Sequence, residues 1–396
     1  MQDRNSDTNK SINLNSIRKN INFSSFTSAL MAILLGLIFG FFVMLFAKPS
    51  SALEGFQLIA IGGFRRLGDV FYFATPILMT GLSVGFAFKM GLFNIGASGQ
   101  YTMGMFFALM VGFNLDLPGG LHWIVGVLAG MIGGMIWGFI PGIFKAMLNV
   151  NEVITSIMFN YIGMYLVDMW IRNSSVMYNS NMTRTNYLPP SAQIPSLGFT
   201  GTNVNYGIVL AILIGILLYI ILQKTTFGYE LKATGYNKHA AEYAGMKGKT
   251  NIIITMMIAG ALSGLGGAFA ILAPSGIFGS SMTYEPVNII AANGFNGIAV
   301  ALLGNSHPIG IIFSALFISH LQRGGTLSAL VGYKPEIIDV VIAIIIYFSA
   351  FAMIMNAAIG RFIKKRIKKE DTDIIEDETE EMDTIDASNN NSKEAE

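Results

Sequence analysis

The chain has 396 residues, of which 53% are hydrophobic and only 12% charged, with a formal net charge of +1. It contains no cysteine, which excludes disulfides, thiol catalysis and cysteine-ligated metals, and its four histidines (His122, His239, His307, His320) are too scattered for a metal motif. Apolar runs of about 20 residues recur instead, the pattern of an all-α polytopic membrane protein.

Residues 1–27 are polar and rich in Asn and Ser, and read as a flexible cytoplasmic arm. So long a polar lead disfavours a cleaved signal peptide, and 28–47 reads as the first span. Further spans are predicted at 67–88, 91–113, 121–147, 152–171, 205–223, 251–273, 286–304, 308–321 and 336–359, about ten in all. The 44 glycines suit closely packed membrane helices. An even number of spans returns the chain to its starting side. With both termini in the cytoplasm, 18 of the 25 Lys and Arg residues fall inside, as the positive-inside rule requires. The longest outer loop, 172–205, carries Pro189, Pro190 and Pro195. It reads either as a landing place for an external binding protein or as a solvated connector.

Between two apolar spans lies the polar loop Lys224–Thr250, with five lysines that place it in the cytoplasm. A short helix is predicted inside it. Gly235 allows a turn, Asn237 is the N-cap, 238–244 is helical and Gly245 is the residue that ends it. Ala240, Ala241 and Ala244 would let another surface approach, so the helix reads as one made to dock into a partner's groove. The plainer reading is a basic connector.

Polar residues at span ends or within spans form a second group: Asn94 and Gln100 in GLFNIGASGQ, Glu152 and Asn160 in NEVITSIMFNY, Asn293, and Asn296 in GFNGIAVALLG. Such groups are costly in a membrane unless paired or facing a cavity. They are therefore substrate-pathway candidates, or else staples between helices. Phe93 and Phe295 offer faces for stacking on a flat solute. The end of a phosphate-binding loop is echoed at 248–250, but Tyr243 stands where the first glycine is required, so ATP binding by this chain is rejected. No cofactor, metal or nucleic acid is expected. Beyond the last span, 361–369 forms a basic collar suited to anionic membrane lipids, and the acidic tail after it reads as disordered. The organisation expected is thus 1–27 arm, 28–360 membrane domain with loop 224–250, and 361–396 collar and tail.

The loop sequence FGYELKATGYNKHAAEYAGM resembles the cytoplasmic coupling loop of ABC importer permeases of the branched-chain amino acid, ribose and nucleoside group. FNIGASGQ, NEVITSIMFNYI and GFNGIAVALLG resemble the nucleoside permeases within it, over about residues 67–350. Ser98 and Asn293 depart from the family pattern, which blurs the substrate expectation. The resemblance implies a cytoplasmic ABC ATPase that couples through Gly235, Asn237, Ala240, Ala241, Ala244 and Gly245. It also implies a second, related permease and an extracytoplasmic substrate-binding lipoprotein. The function expected is that of a non-enzymatic permease subunit moving a nucleoside or simple sugar across the plasma membrane. The alternative is an ion-coupled secondary transporter, but Glu152, Asp168, Glu285 and Asp339 all fall near predicted span ends rather than deep within spans. Faint likeness between GLFNIG and GFNGI, and the opposite entry of spans 2–5 and 7–10, permit an inverted repeat.

Overall fold

A computed structural model describes residues 33–199, 202–275, 281–334 and 336–348. The expected arm, collar and acidic tail lie outside these residues. Helices α1 (Ile33–Ala47), α2 (Ala52–Ile61), α3 (Leu67–Phe88), α4 (Ala97–Asn114), α5 (Gly119–Leu148), α6 (Glu152–Arg172) and α7 (Tyr206–Lys224) form the first half. Then come α8 (Thr226–Tyr236), α9 (Lys238–Tyr243), α10 (Gly248–Ile271), α11 (Ala292–Leu303), α12 (Pro308–Ser328) and α13, the helical residues 336–348. Five stretches are long and apolar enough to cross a membrane, namely Pro49–Phe88, α6, α7, α10 and most of α5, while α1 and α11 are shorter apolar helices. The protein is an all-α membrane protein.

Several expected boundaries move. The third span starts not at 91 but at Ala97, because Gly91 (φ +73°) closes α3 with paired bonds from its own N–H to Phe88 and from the Leu92 N–H to Ala87. Residues 286–291 are irregular, so the eighth span shrinks to α11, whereas α12 runs on to Ser328. Residues 226–236, to which no element had been assigned beyond a turn at Gly235, form a helix of their own, α8.

Two compact units are distinguished. Among the described residues, one comprises 33–39 together with 344–348, and within it Phe39 stacks on Phe348 at 4.6 Å. The other is Gly40–Ala343. At its centre is α10, packed against α3, α4 and α5. Lipid tails are as apolar as side chains, so helices here gain by close packing rather than by escaping water. Gly260 and Gly264 of α10 meet Gly134 and Gly130 of α5 so closely that a Cβ at Gly134, Gly260 or Gly264 would overlap backbone across the interface, and one at Gly130 would overlap the Ala268 side chain. One added methyl would therefore push α5 off α10.

The stretch 173–199 is folded against the helices rather than simply solvated. It contains the hairpin β1 (Tyr178–Asn179) and β2 (Arg184–Thr185), and it buries Leu188, Ala192 and Ile194. The Ile194 N–H donates to the Leu272 carbonyl at 2.8 Å, and His122 Nδ1 lies 3.0 Å from the Ser191 hydroxyl.

Candidate functional site: a membrane amide cluster and an exposed loop face

The buried amides are built around the start of α4. Gly96 carries no side chain to cap that helix. Asn160 of α6 supplies the missing acceptor, its Oδ1 taking the Gly99 N–H at 2.7 Å while its own amide donates to the Ile95 carbonyl at 2.9 Å. Asn94 and Gln100 exchange two hydrogen bonds, of 2.8 and 3.0 Å, and Asn94 also donates to Ser83 of α3 at 3.0 Å. Ser83 in turn donates to the Ala259 carbonyl of α10 at 2.6 Å. Asn94, Gln100 and Asn160 are all but inaccessible. They join α3, α4, α6 and α10, and none lines an open path. Phe93 is likewise occupied, stacked on Phe88 with ring centroids 5.2 Å apart. Glu152 lies in the first turn of α6, where a negative charge suits the helix dipole, and pairs with Lys145 at 2.8 Å.

Helix α11 is different. It is only 12 residues long and follows irregular backbone. Gly294 and Gly297 press it against Ser98 of α4 and Thr80 of α3. The hydroxyls of those two residues donate to the carbonyls of Ala291 and Asn293, at 2.7 and 2.9 Å. The Asn293 amide donates to the Tyr101 hydroxyl at 3.1 Å. The opposite face carries Ala292, Phe295 and Leu302, all exposed, and the half-buried Asn296, which has no hydrogen-bond partner among the described residues. So of six pathway candidates, four are held in internal pairs, Asn293 is partly held and Asn296 is free. Thr80, Ser83 and Tyr101 were not among the sequence candidates. Tyr101, next to Gln100 in an apolar run, was the one polar aromatic that could have been noticed.

In the loop 224–250, Asn237 caps α9 by accepting the Ala240 N–H at 3.0 Å. Gly245, at φ +85°, ends the helix with bonds from its own N–H to Glu242 and from the Met246 N–H to Ala241, both 3.0 Å. Two expectations are corrected. Gly235 makes no turn: it sits inside α8 because its bare Cα lies against Met90, where a Cβ would come within 2.6 Å of the backbone. Ala241 does not share a surface with Ala240 and Ala244. It is buried, since successive helical residues point about 100° apart, while Ala240 and Ala244, four apart, stay outside together. Beside them stand Tyr236 and Tyr243, 92% and 95% exposed. The contact of Gly235 with Met90 links this face to the α3 terminus, and Asn94 lies four residues further on. Lys89, at that terminus, is held below the ordinary lysine range by burial and then by Lys232.

Comparison with known proteins agrees with this architecture. The family described as "Branched-chain amino acid transport system / permease component" matches residues 66–350. A guanosine ABC transporter permease protein of Bacillus subtilis is 36% identical over 85% of this chain and 96% of its own. A nucleoside ABC transporter permease protein of Lactococcus lactis is 37% identical over 84% of this chain and 92% of its own. A glucose ABC transporter permease protein of Haloferax volcanii is 28% identical over 71% and 75%. No solved structure gives a significant match. A chain matched over so much of its length, and built from close-packed apolar helices, belongs to the branched-chain amino acid transport system permease family of ABC transporters.

Proposed function

We propose that this chain is the permease subunit of a plasma-membrane nucleoside importer. The observation that carries the substrate is the identity of 36–37%, over most of the chain, to two permeases whose names specify guanosine and nucleosides. Membership of the family implies a separate ATPase and a solute-binding partner. The finer arrangement is part of the proposal: about ten spans, both termini and loop 224–250 in the cytoplasm, and a second, related permease chain.

The solute passes along the open face of α11. An amide with no partner on a membrane helix is costly unless it meets water, solute or another chain, and Asn296 is such an amide. Its carboxamide can bond the hydroxyls of a ribose or the edge of a base, and Phe295, 39% exposed, can stack on the base. The ATPase docks on α8 and α9, with Tyr236 and Tyr243 as the aromatic anchors that such interfaces favour. Movement there reaches the membrane core through Gly235 and Met90. Uptake of labelled guanosine, with glucose and cytidine as competitors, tests the reading in cells carrying an intact or an inactivated partner ATPase. ATP-independent, gradient-driven uptake would replace it with a secondary transporter, and competition by glucose alone would replace the nucleoside with a sugar.

A further inference from the structure

Asp168 is a carboxylate in α6 with 2% of its surface exposed. Arg172 lies four residues on, the spacing at which helical residues pair. Among the described residues neither forms an ion pair; both reach across to the segment 284–288 instead. Asp168 accepts the Tyr284 hydroxyl at 2.5 Å and the Asn288 N–H at 2.6 Å. Arg172 donates to the Pro286 carbonyl. From the other side Thr185 of β2 makes a two-way pair with the Tyr284 backbone, at 2.9 and 3.0 Å. The next anchored point of the chain is Ala291, held by Ser98, and α11 starts one residue later. Segment 281–291 is thus irregular backbone whose position rests on a few polar ties, the strongest of them to a buried charged acceptor.

We propose that Asp168 is a positioning residue for transport, which holds segment 281–291 against α6 and so fixes where α11 begins on the solute path. Its two oxygens take both donors at once, which an apolar side chain of the same size cannot do. The inference rests on the reading of α11 as pathway-lining, and the test separates the two.

The full transporter, with its ATPase and binding protein, is compared as wild type, Asp168→Leu, Asp168→Asn and Tyr284→Phe. Two quantities are read: the Vmax and KM of uptake, and hydrogen exchange of 281–291 relative to α10. Asp168→Leu is expected to lower Vmax about tenfold at unchanged KM, and to speed exchange of 281–291 about tenfold while α10 is unaltered. Asp168→Asn, whose oxygen can take the Asn288 N–H while its amide donates to the tyrosine oxygen, should restore both to near wild type. Unchanged exchange in Asp168→Leu overturns the inference. Faster exchange with wild-type Vmax instead overturns the pathway reading, because the tie is then real and irrelevant to transport. Should Asp168→Leu fail to reach the membrane, Tyr284→Phe decides. It removes one donor from a half-buried ring, about threefold in each quantity is expected, and wild-type values in both would sink the proposal.

Discussion

The amides around the start of α4 and those on α11 are the same kind of side chain in the same membrane domain, yet they do opposite things. Asn94, Gln100 and Asn160 have spent their hydrogen bonds on each other, on Ser83 and on backbone, and are sealed from solvent. The Asn296 side chain has no hydrogen-bond partner among the described residues and stands on an open face. A membrane protein uses polar groups as rivets where they are saturated and as a path where they are not. Asn293 is intermediate, with its carbonyl and amide held by Thr80 and Tyr101 but its side chain only half-buried.

The largest effect should come from breaking a rivet. Asn94→Leu strands the Gln100 amide in a site with 1% exposure and removes three hydrogen bonds. A buried polar group left without a partner costs about 1–3 kcal/mol, so a loss of about 2–4 kcal/mol is expected once the altered packing is included. Membrane abundance and detergent melting temperature should both fall. An Asn94→Leu protein that melts with the wild type would show that the network contributes no stability.

The face of α9 carries the same contrast in apolar form. Ala241→Trp should prevent α9 from seating on its own protein, whereas Ala240→Trp, on the open side, should spare the fold and hold the ATPase away by several ångströms. The expected result for Ala240→Trp is normal abundance with uptake reduced by about a hundredfold and lost co-purification of the ATPase. If Ala240→Trp transports normally while Ala241→Trp is well folded, the assignment of inner and outer faces is reversed.

How much of this could be read beforehand depended on how local the cause was. The caps of α9 were legible because Asn237 and Gly245 act on backbone within a few residues. The placement of Ala241 follows from helical rotation alone and was still misjudged, since i and i+1 do not share a face. Helix α8 was missed because Lys232 and two glycines make 226–236 look like a connector, and only the approach of Gly235 to Met90 explains the second glycine. The amides were recognised as significant, but whether each serves as rivet or path depends on how the chain folds back: Asn94 and Gln100 face each other only because of the bend between α3 and α4, and Asn160 and Asn293 meet Gly99 and Tyr101, 61 and 192 positions away. Asp168 was set aside as lying near a span end, where its burial and its hold on Tyr284 could not be seen.

On the open face of α11 the expected loss is moderate. Asn296→Ala removes no internal hydrogen bond, so stability should stay within about 0.5 kcal/mol of wild type. Uptake should fall about tenfold if one solute hydrogen bond of ordinary strength is lost at the tightest point of transit. Asn296→Gln, which keeps the amide, should recover part of it. A destabilised Asn296→Ala protein would make Asn296 a rivet to another chain rather than part of the path.

The smallest effect concerns the corner where α11 ends. His307 lies between α11 and α12, near Lys89, and burial followed by the Lys89 charge lowers its pKa below 6.5. The folded protein therefore disfavours protonated His307 relative to the unfolded chain. Above pH 6.5 both states are neutral and the group is silent; as pH falls past that value the unfolded chain takes up the proton first, and stability declines until the folded-state pKa has been passed. His307→Gln should remove this component, so the melting temperature of the variant should drop less on acidification from about pH 7.5 to 5.5 than that of the wild type. Uptake at neutral pH should change by less than about twofold, because the ring is partly exposed and is placed neither on the solute path nor on the docking face. Lys89→Gln in the same assay sharpens the point. Removing the neighbouring charge should raise the His307 pKa and shrink the acid sensitivity without abolishing it, since burial is the larger cause. Complete loss of the sensitivity in Lys89→Gln would instead make the charge, and not burial, the main cause.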